Sequence, residues 1–330
     1  YLIGENAGAN LTTGRNNSLL GYESGFNMTD GRNNIFLGTL SGFNTLDAVE
    51  NAFIGNASGY NTVSGAGNVF IGNQSGFENV GGRYNSFVGY QAGYYATSTY
   101  NTFFGFQAGY HNTTGKNNIS IGFQAGYGSP IEGTGVTGSE NIFIGYGSGY
   151  TNTSGASNIF MGNQSGYNNT DGNSNIFLGN GSGKNTSNGD FNTYIGFKSG
   201  IMAGKNVSLD PSFNTFVGYQ TGKNNVTGEH NVFIGFNAGV SASGASGSNN
   251  IFIGDSTGAE NLNGTNNVFL GTYAGTNNES GNANVFIGKG AGYSNQYGDY
   301  NTIIGFEAGK NITGGPNWYE GAFNTILGYQ

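Results

Sequence analysis

The sequence predicts an all-β chain, a parallel β-solenoid (β-roll) of about 18 coils with a 17-residue repeat. Three observations carry this. The phrase Asn-x-Phe-Ile-Gly and its variants recur nineteen times, on glycines running from Gly4 and Gly21 through Gly305 to Gly328, and thirteen of the eighteen intervals are 17 residues. Apolar stretches rich in Phe, Ile and Val are only four or five residues long and end at Gly or Asn, which is the signature of short strands and too little for two packed helices. Glycine makes up 64 of 330 residues, and most of it falls in fixed columns of the repeat, so the excess is architectural.

With the motif glycine as position 0, each column has a reading. Position -4 is Asn in every unit that has it, from Asn17 to Asn324. An amide repeated in every coil can bond to the coils above and below, as in cross-β ladders. Position -1 is apolar throughout, position +3 is Ala, Ser or Thr, and position +4 is Gly in all complete units. Small residues at +3 and +4 let the two layers of a coil approach closely. Two strands per unit are predicted, over -4 to -1 and near +2 to +6, joined by turns at 0 and near +10, where phrases such as Asp30-Gly31 and Thr114-Gly115 tolerate left-handed angles.

Side chains alternate across a strand, so -1 and -2 face opposite ways. The aliphatic -1 column is assigned to the interior. Position -2 then holds thirteen outward phenylalanines: Phe36, Phe53, Phe70, Phe87, Phe103, Phe143, Phe160, Phe177, Phe216, Phe233, Phe252, Phe269 and Phe286. At about 2 kcal/mol for each large apolar side chain left in water, such a stripe calls for cover. A parallel homo-oligomer meeting along this column is therefore expected, with a thick monomer that takes both columns inside as the other solution.

The rest of the composition excludes more than it selects. There is no cysteine, hence no disulfide, thiolate metal site or thiol nucleophile. Ten Lys+Arg against eighteen Asp+Glu, net charge -8, speak against nucleic acid. No apolar run is long enough to span a bilayer. Acidic residues are too sporadic for a calcium ladder, the two histidines His111 and His230 sit in variable turns, and no carboxylate pair stands out, so neither metal, cofactor nor catalytic site is expected. The chain opens and stops inside motifs and reads as a single array, 1–330, cut from a longer fibre.

Phrases such as Asn141-Ile142-Phe143-Ile144-Gly145 followed by Ser148-Gly149 resemble the head repeats of trimeric autotransporter adhesins and related phage tail-fibre proteins, over essentially the whole chain. The resemblance implies a left-handed roll, three chains around an axis, an extracellular or cell-surface place (or a virion tail), and attachment as the role. Units here are longer than in the best-known heads and carry Phe where those carry Val and Ala. The expected function is a structural or adhesive fibre repeat mediating attachment to surfaces or cells, with a phage tail-fibre shaft as the alternative. An ice-binding solenoid would need a flat outward Thr or Asn array, and no column outside the core is uniformly Thr.

Candidate binding residues lie in two places. The +5 column is aromatic through nine units, including Tyr60, Tyr94, Tyr110, Tyr127, Tyr150 and Tyr167, before giving way to Lys184 and others. It is placed at the roll's edge, where it either covers the backbone or forms a track for a host glycan. Three longer intervals, 127–140, 205–212 and 314–322, hold all prolines and the sole tryptophan, Trp318, and are expected to bulge outward as recognition loops for a glycan or protein. Sequons also recur; those at Asn56, Asn73, Asn163 and Asn180 are expected to be less accessible than Asn112 and Asn152.

Overall fold

A computed structural model describes residues 1–128, 135–202, 211–241, 244–313 and 320–330. These residues are all-β, with nineteen short strands, each paired in parallel with the strand one coil on. The chain divides into two compact units, 1–163 and 164–330. The first holds ten strands, from Leu2–Ile3 to Ile159–Met161, and so nine turns of solenoid; the second holds nine, from Ile176–Leu178 to Thr325–Leu327, and eight turns. Register is uniform: Val69 pairs with Ser86, Phe70 with Phe87 and Ile71 with Val88, and the same columns pair in every coil. The β-solenoid and its 17-residue period stand as the sequence indicated.

Each coil has one strand, spanning -3 to -1, where two were expected. The segment +2 to +6 is a run of turns, because the residue at +2 takes a left-handed φ even when it is not glycine (Gln74, 55°; Gln91, 53°) and Gly at +4 does so again (Gly76, 61°). Two left-handed residues so close break the extended ribbon. Inter-coil bonding nevertheless continues through the turns: the Gly76 amide donates to the Ala92 carbonyl at 3.0 Å and Gln74 to Asn56 at 2.9 Å.

The interior is the reverse of the expected one. The -2 phenylalanines are the core of each unit, with Phe36, Phe53, Phe70, Phe87, Phe160, Phe177, Phe216, Phe252, Phe269 and Phe286 at 0% exposure and Phe103, Phe143 and Phe233 at no more than 3%. They stack coil on coil at 4.7 to 4.9 Å between Phe36 and Phe103, and likewise from Phe177 through Tyr194 to Phe286. They are therefore not an interface between chains. The aliphatic -1 column points out instead, Ile71 being 37% exposed. Two invariant neighbours decide this. Asn at -4 shares the parity of -2 and must be buried to form its ladder, and a Cβ on the +4 glycine would meet the Phe ring of its own coil, Gly76 against Phe70 at 2.5 Å. The +4 glycine exists to seat the ring.

Beside the rings runs the amide ladder. Asn51 Oδ1 accepts from the Asn68 amide N–H at 2.9 Å and from Asn68 Nδ2 at 3.0 Å, while Asn68 Nδ2 also donates to the Gly82 carbonyl at 2.8 Å. Small +3 residues close the other side, as Ser75 Oγ donates to the Phe87 carbonyl at 3.1 Å. A buried amide left without partners would cost about 1–3 kcal/mol, which explains the invariance of Asn. Of the longer intervals, residues 129–134, 203–210 and 314–319 lie outside the described residues, and Trp318 with them. The coil is regular again by Val136, which bridges Asn112, and by Pro211, whose carbonyl accepts from Asn192 Nδ2 at 2.8 Å in the place of a +10 residue.

Candidate functional site

Because -4 and -2 point in, -3 and -1 point out, and the aromatic residues at -5 and +1 beside them are exposed as well. The -3 and -1 columns are mostly Ile, Val, Leu and Thr, with Ile35, Ile71, Ile121, Ile176, Ile234 and Ile253 all 36% exposed or more. Flanking them at +1 is a second aromatic column, Tyr90, Phe106, Phe123 and Tyr146 in the first unit, stacked at 5.0 to 5.2 Å, and Phe197, Tyr219 and Phe236 in the second. At -5 stand Tyr84, Tyr100, Phe191, Phe213, Tyr300 and Phe323, each at least half exposed. Every one of these takes a left-handed φ between 55° and 62°. Asn, present at -5 in other coils, accepts that conformation readily, whereas a bulky ring there is strained. Aromatic side chains are thus held in water at a conformational cost.

The span from -5 to +1, six residue steps at ~3.3 Å, by nine turns at ~4.8 Å covers about 850 Å² in the first unit, and the apolar strip along -3 and -1 is less than half of it. That strip, with the aromatic runs beside it, is of the size of the largest patches that monomers expose, which are often functional, and points to an interaction surface. This face was not among the sequence expectations; its signal in the sequence is the recurrence of aromatic residues at +1 and -5 on either side of the strand.

The predicted track residues Tyr60, Tyr94, Tyr110, Tyr127 and Tyr150 form one half-buried column in the first unit, and Tyr167 lies in the second with Lys184 Nζ 5.7 Å from its ring centre. The column is partly exposed along its length. Its rings stack on one another, Tyr60 on Phe77 at 4.9 Å and Tyr127 on Tyr150 at 5.1 Å. Stacking closes the ring faces, so the column offers edges and hydroxyls, whereas sugars stack on open faces. Around Tyr110 a second rank is added: Tyr95 and His111 lie parallel at 5.5 Å and meet the column edge-on. Burial, then the neighbouring tyrosines Tyr95, Tyr94, Tyr127 and Tyr90, push the Tyr110 phenol up to about 12, and burial lowers His111.

The sign follows. A phenol whose pKa is raised by folding leaves stability intact below pH 10 and erodes it from pH 10 to 12, as the unfolded chain ionises first. Discounted for solvent screening of a partly exposed group, the loss is about 1 kcal/mol. Urea unfolding at pH 9 and pH 11.5 should show it, and Tyr110→Phe should reduce the difference between the two; an unchanged difference would contradict the assignment.

Sequon access is also inverted: Asn56, Asn73, Asn163 and Asn180 at +1 are exposed, while Asn112 and Asn152 are buried at +7. Among the described residues no cluster of three His, Asp or Glu could hold a metal ion, and no helix is long and apolar enough to cross a membrane. The ion pair of Lys310 with Glu307, at 3.0 Å, is local. Compared with protein-family models, curated proteins and solved structures, the chain matches none.

Proposed function

We propose that the chain is a structural repeat of an extracellular attachment fibre, and that it works by associating with its own kind through the outward sheet face. The observation that carries this is the apolar face itself, kept almost free of charge along -3 and -1 and edged by strained aromatic residues. A bonded, repetitive scaffold supports the reading, since every coil presents the same columns at the same spacing and identical surfaces can meet over many coils. The resemblance to adhesin heads supports the fibre setting.

The test is the mass of the full chain in solution by sedimentation and light scattering. A multiple of 34.3 kDa is expected. Ile71→Lys together with Ile121→Lys should shift the wild-type assembly to monomer while leaving far-ultraviolet circular dichroism unchanged. A wild-type chain that remains monomeric at tens of micromolar refutes the proposal.

A further inference from the structure

The outward face is bordered by the -6 column, and charge is distributed along that border unevenly. All four basic residues between positions 1 and 163, Arg15, Arg32, Arg83 and Lys116, lie at -6, and all are exposed. In residues 164–330 the same column carries Asp190, Glu229 and Asp299 and no basic residue. The -6 column is therefore positive in the first unit, with Glu50 and Glu140 beside it at -5, and negative in the second.

Order along the column is more specific than sign. Counting motif coils inward from the two ends of the sequence, Arg15 is in the second coil from the start and Asp299 in the second from the end. Arg83 and Glu229 are both sixth, and Lys116 and Asp190 both eighth. Arg32, third from the start, is matched by Asn282, which carries no like charge. Most of the aromatic +1 column matches in the same order: Tyr90 answers Phe236 (sixth), Phe106 answers Tyr219 (seventh) and Phe123 answers Phe197 (eighth), while Tyr146 (ninth) meets Asn180 and Tyr329 (first) meets Glu5. Even the isolated Tyr22 is answered by Phe306, both second. Coils within a unit are one strand spacing apart, so these counts are also heights.

Two flat faces can be laid together in two ways. A two-fold axis along the solenoid keeps coil order and sets the -6 edge of one copy against the +1 edge of the other. A two-fold axis across the solenoid reverses coil order and sets -6 against -6 and +1 against +1. The matched order fits only the second arrangement. We infer that the partner of this face is a second copy of the chain, laid antiparallel, with the basic -6 edge of residues 1–163 against the acidic -6 edge of residues 164–330 and the +1 aromatic columns in contact.

The inference rests on the self-association reading and supplies its geometry, replacing the parallel arrangement expected from the phenylalanine column. About 850 Å² from one unit's face already reaches the ~800 Å² per partner of a stable complex. Apolar area and aromatic pairs supply affinity, while the rim charges fix direction and register. Asp190 and Asp299 each accept from the Asn side chain one coil back, at 3.2 and 3.1 Å, which holds both carboxylates at the rim.

A chain without cysteine allows a direct test. Arg83→Cys and Glu229→Cys variants are prepared separately, mixed and oxidised. The antiparallel pair gives a disulfide between residue 83 of one copy and residue 229 of the other, and few 83–83 or 229–229 links. Arg83→Glu should weaken association on the order of tenfold and Arg83→Glu with Glu229→Arg should restore it, with circular dichroism unchanged throughout. A dominant 83–83 link, a trimeric mass, or an assembly that forms no 83–229 link overturns the antiparallel register and leaves self-association standing. A monomeric wild-type chain overturns both.

Discussion

Replacing Phe70 by Ala is expected to cost about 3–5 kcal/mol, while Ile71→Thr, one residue further along the same strand, should cost less than about 1 kcal/mol in the separated chain. Phe70 is fully buried and its ring stacks 4.9 Å from both Phe53 and Phe87, so truncation leaves a cavity that strips both neighbouring rings of a stacking partner. The surroundings cannot collapse to fill it, because the coil spacing is fixed by backbone bonds such as Gly72 to Ile54 at 2.8 Å. Ile71 faces outward and keeps its β-branched backbone preference as Thr. The order is the opposite of what an interior aliphatic column would give. Phe160→Ser and Phe177→Ser should likewise unfold their coils before they affect assembly. Urea titration of the single variants decides it: similar costs at 70 and 71 would mean that the two faces are not distinguished as described.

The period, the first strand of each unit, the Asn ladder and the close-packed small columns were legible in the sequence because each leaves a mark that needs no partner to read. An invariant Asn next to a strand has few roles other than a ladder. The interior assignment failed because hydropathy does not separate Phe from Ile, and parity alone says only that -1 and -2 differ. Gly76, whose lack of a side chain seats Phe70, held the answer but reads in the sequence as one more turn glycine. The second strand failed for a related reason: Gln74 and Gln91 are ordinary residues in a left-handed conformation imposed by the coil, and nothing in their chemistry announces it. The outward face was hidden because its columns are individually mixed. Only their shared exposure, set by the fold, makes Ile71, Phe106 and Tyr84 neighbours in function.

Gly72→Ala is expected to cost about 3 kcal/mol or more, combining left-handed strain of about 1–3 kcal/mol with overpacking of similar size. Gly72 has φ +135°, a region that side-chain-bearing residues rarely adopt, and a Cβ there would press on the carbonyl oxygen of Gly89 in the next coil. That neighbour is backbone and cannot swing aside. Relief requires separating the two strands, which lengthens the Gly89 to Ile71 bond, now 2.8 Å, and disturbs the register between them. Gly81→Ala is the control, since φ is not left-handed there and a Cβ would find only Ser64 Oγ at 3.7 Å. It should be neutral or stabilising by about 0.4–1 kcal/mol through loss of unfolded-state entropy. Amide hydrogen exchange locates the effect: Gly72→Ala should lose protection first in the coils of Gly72 and Gly89, as expected where each coil depends chiefly on its neighbours. If Gly72→Ala were as harmless as Gly81→Ala, the motif glycine would not be setting coil spacing, and the invariance of position 0 would need another cause.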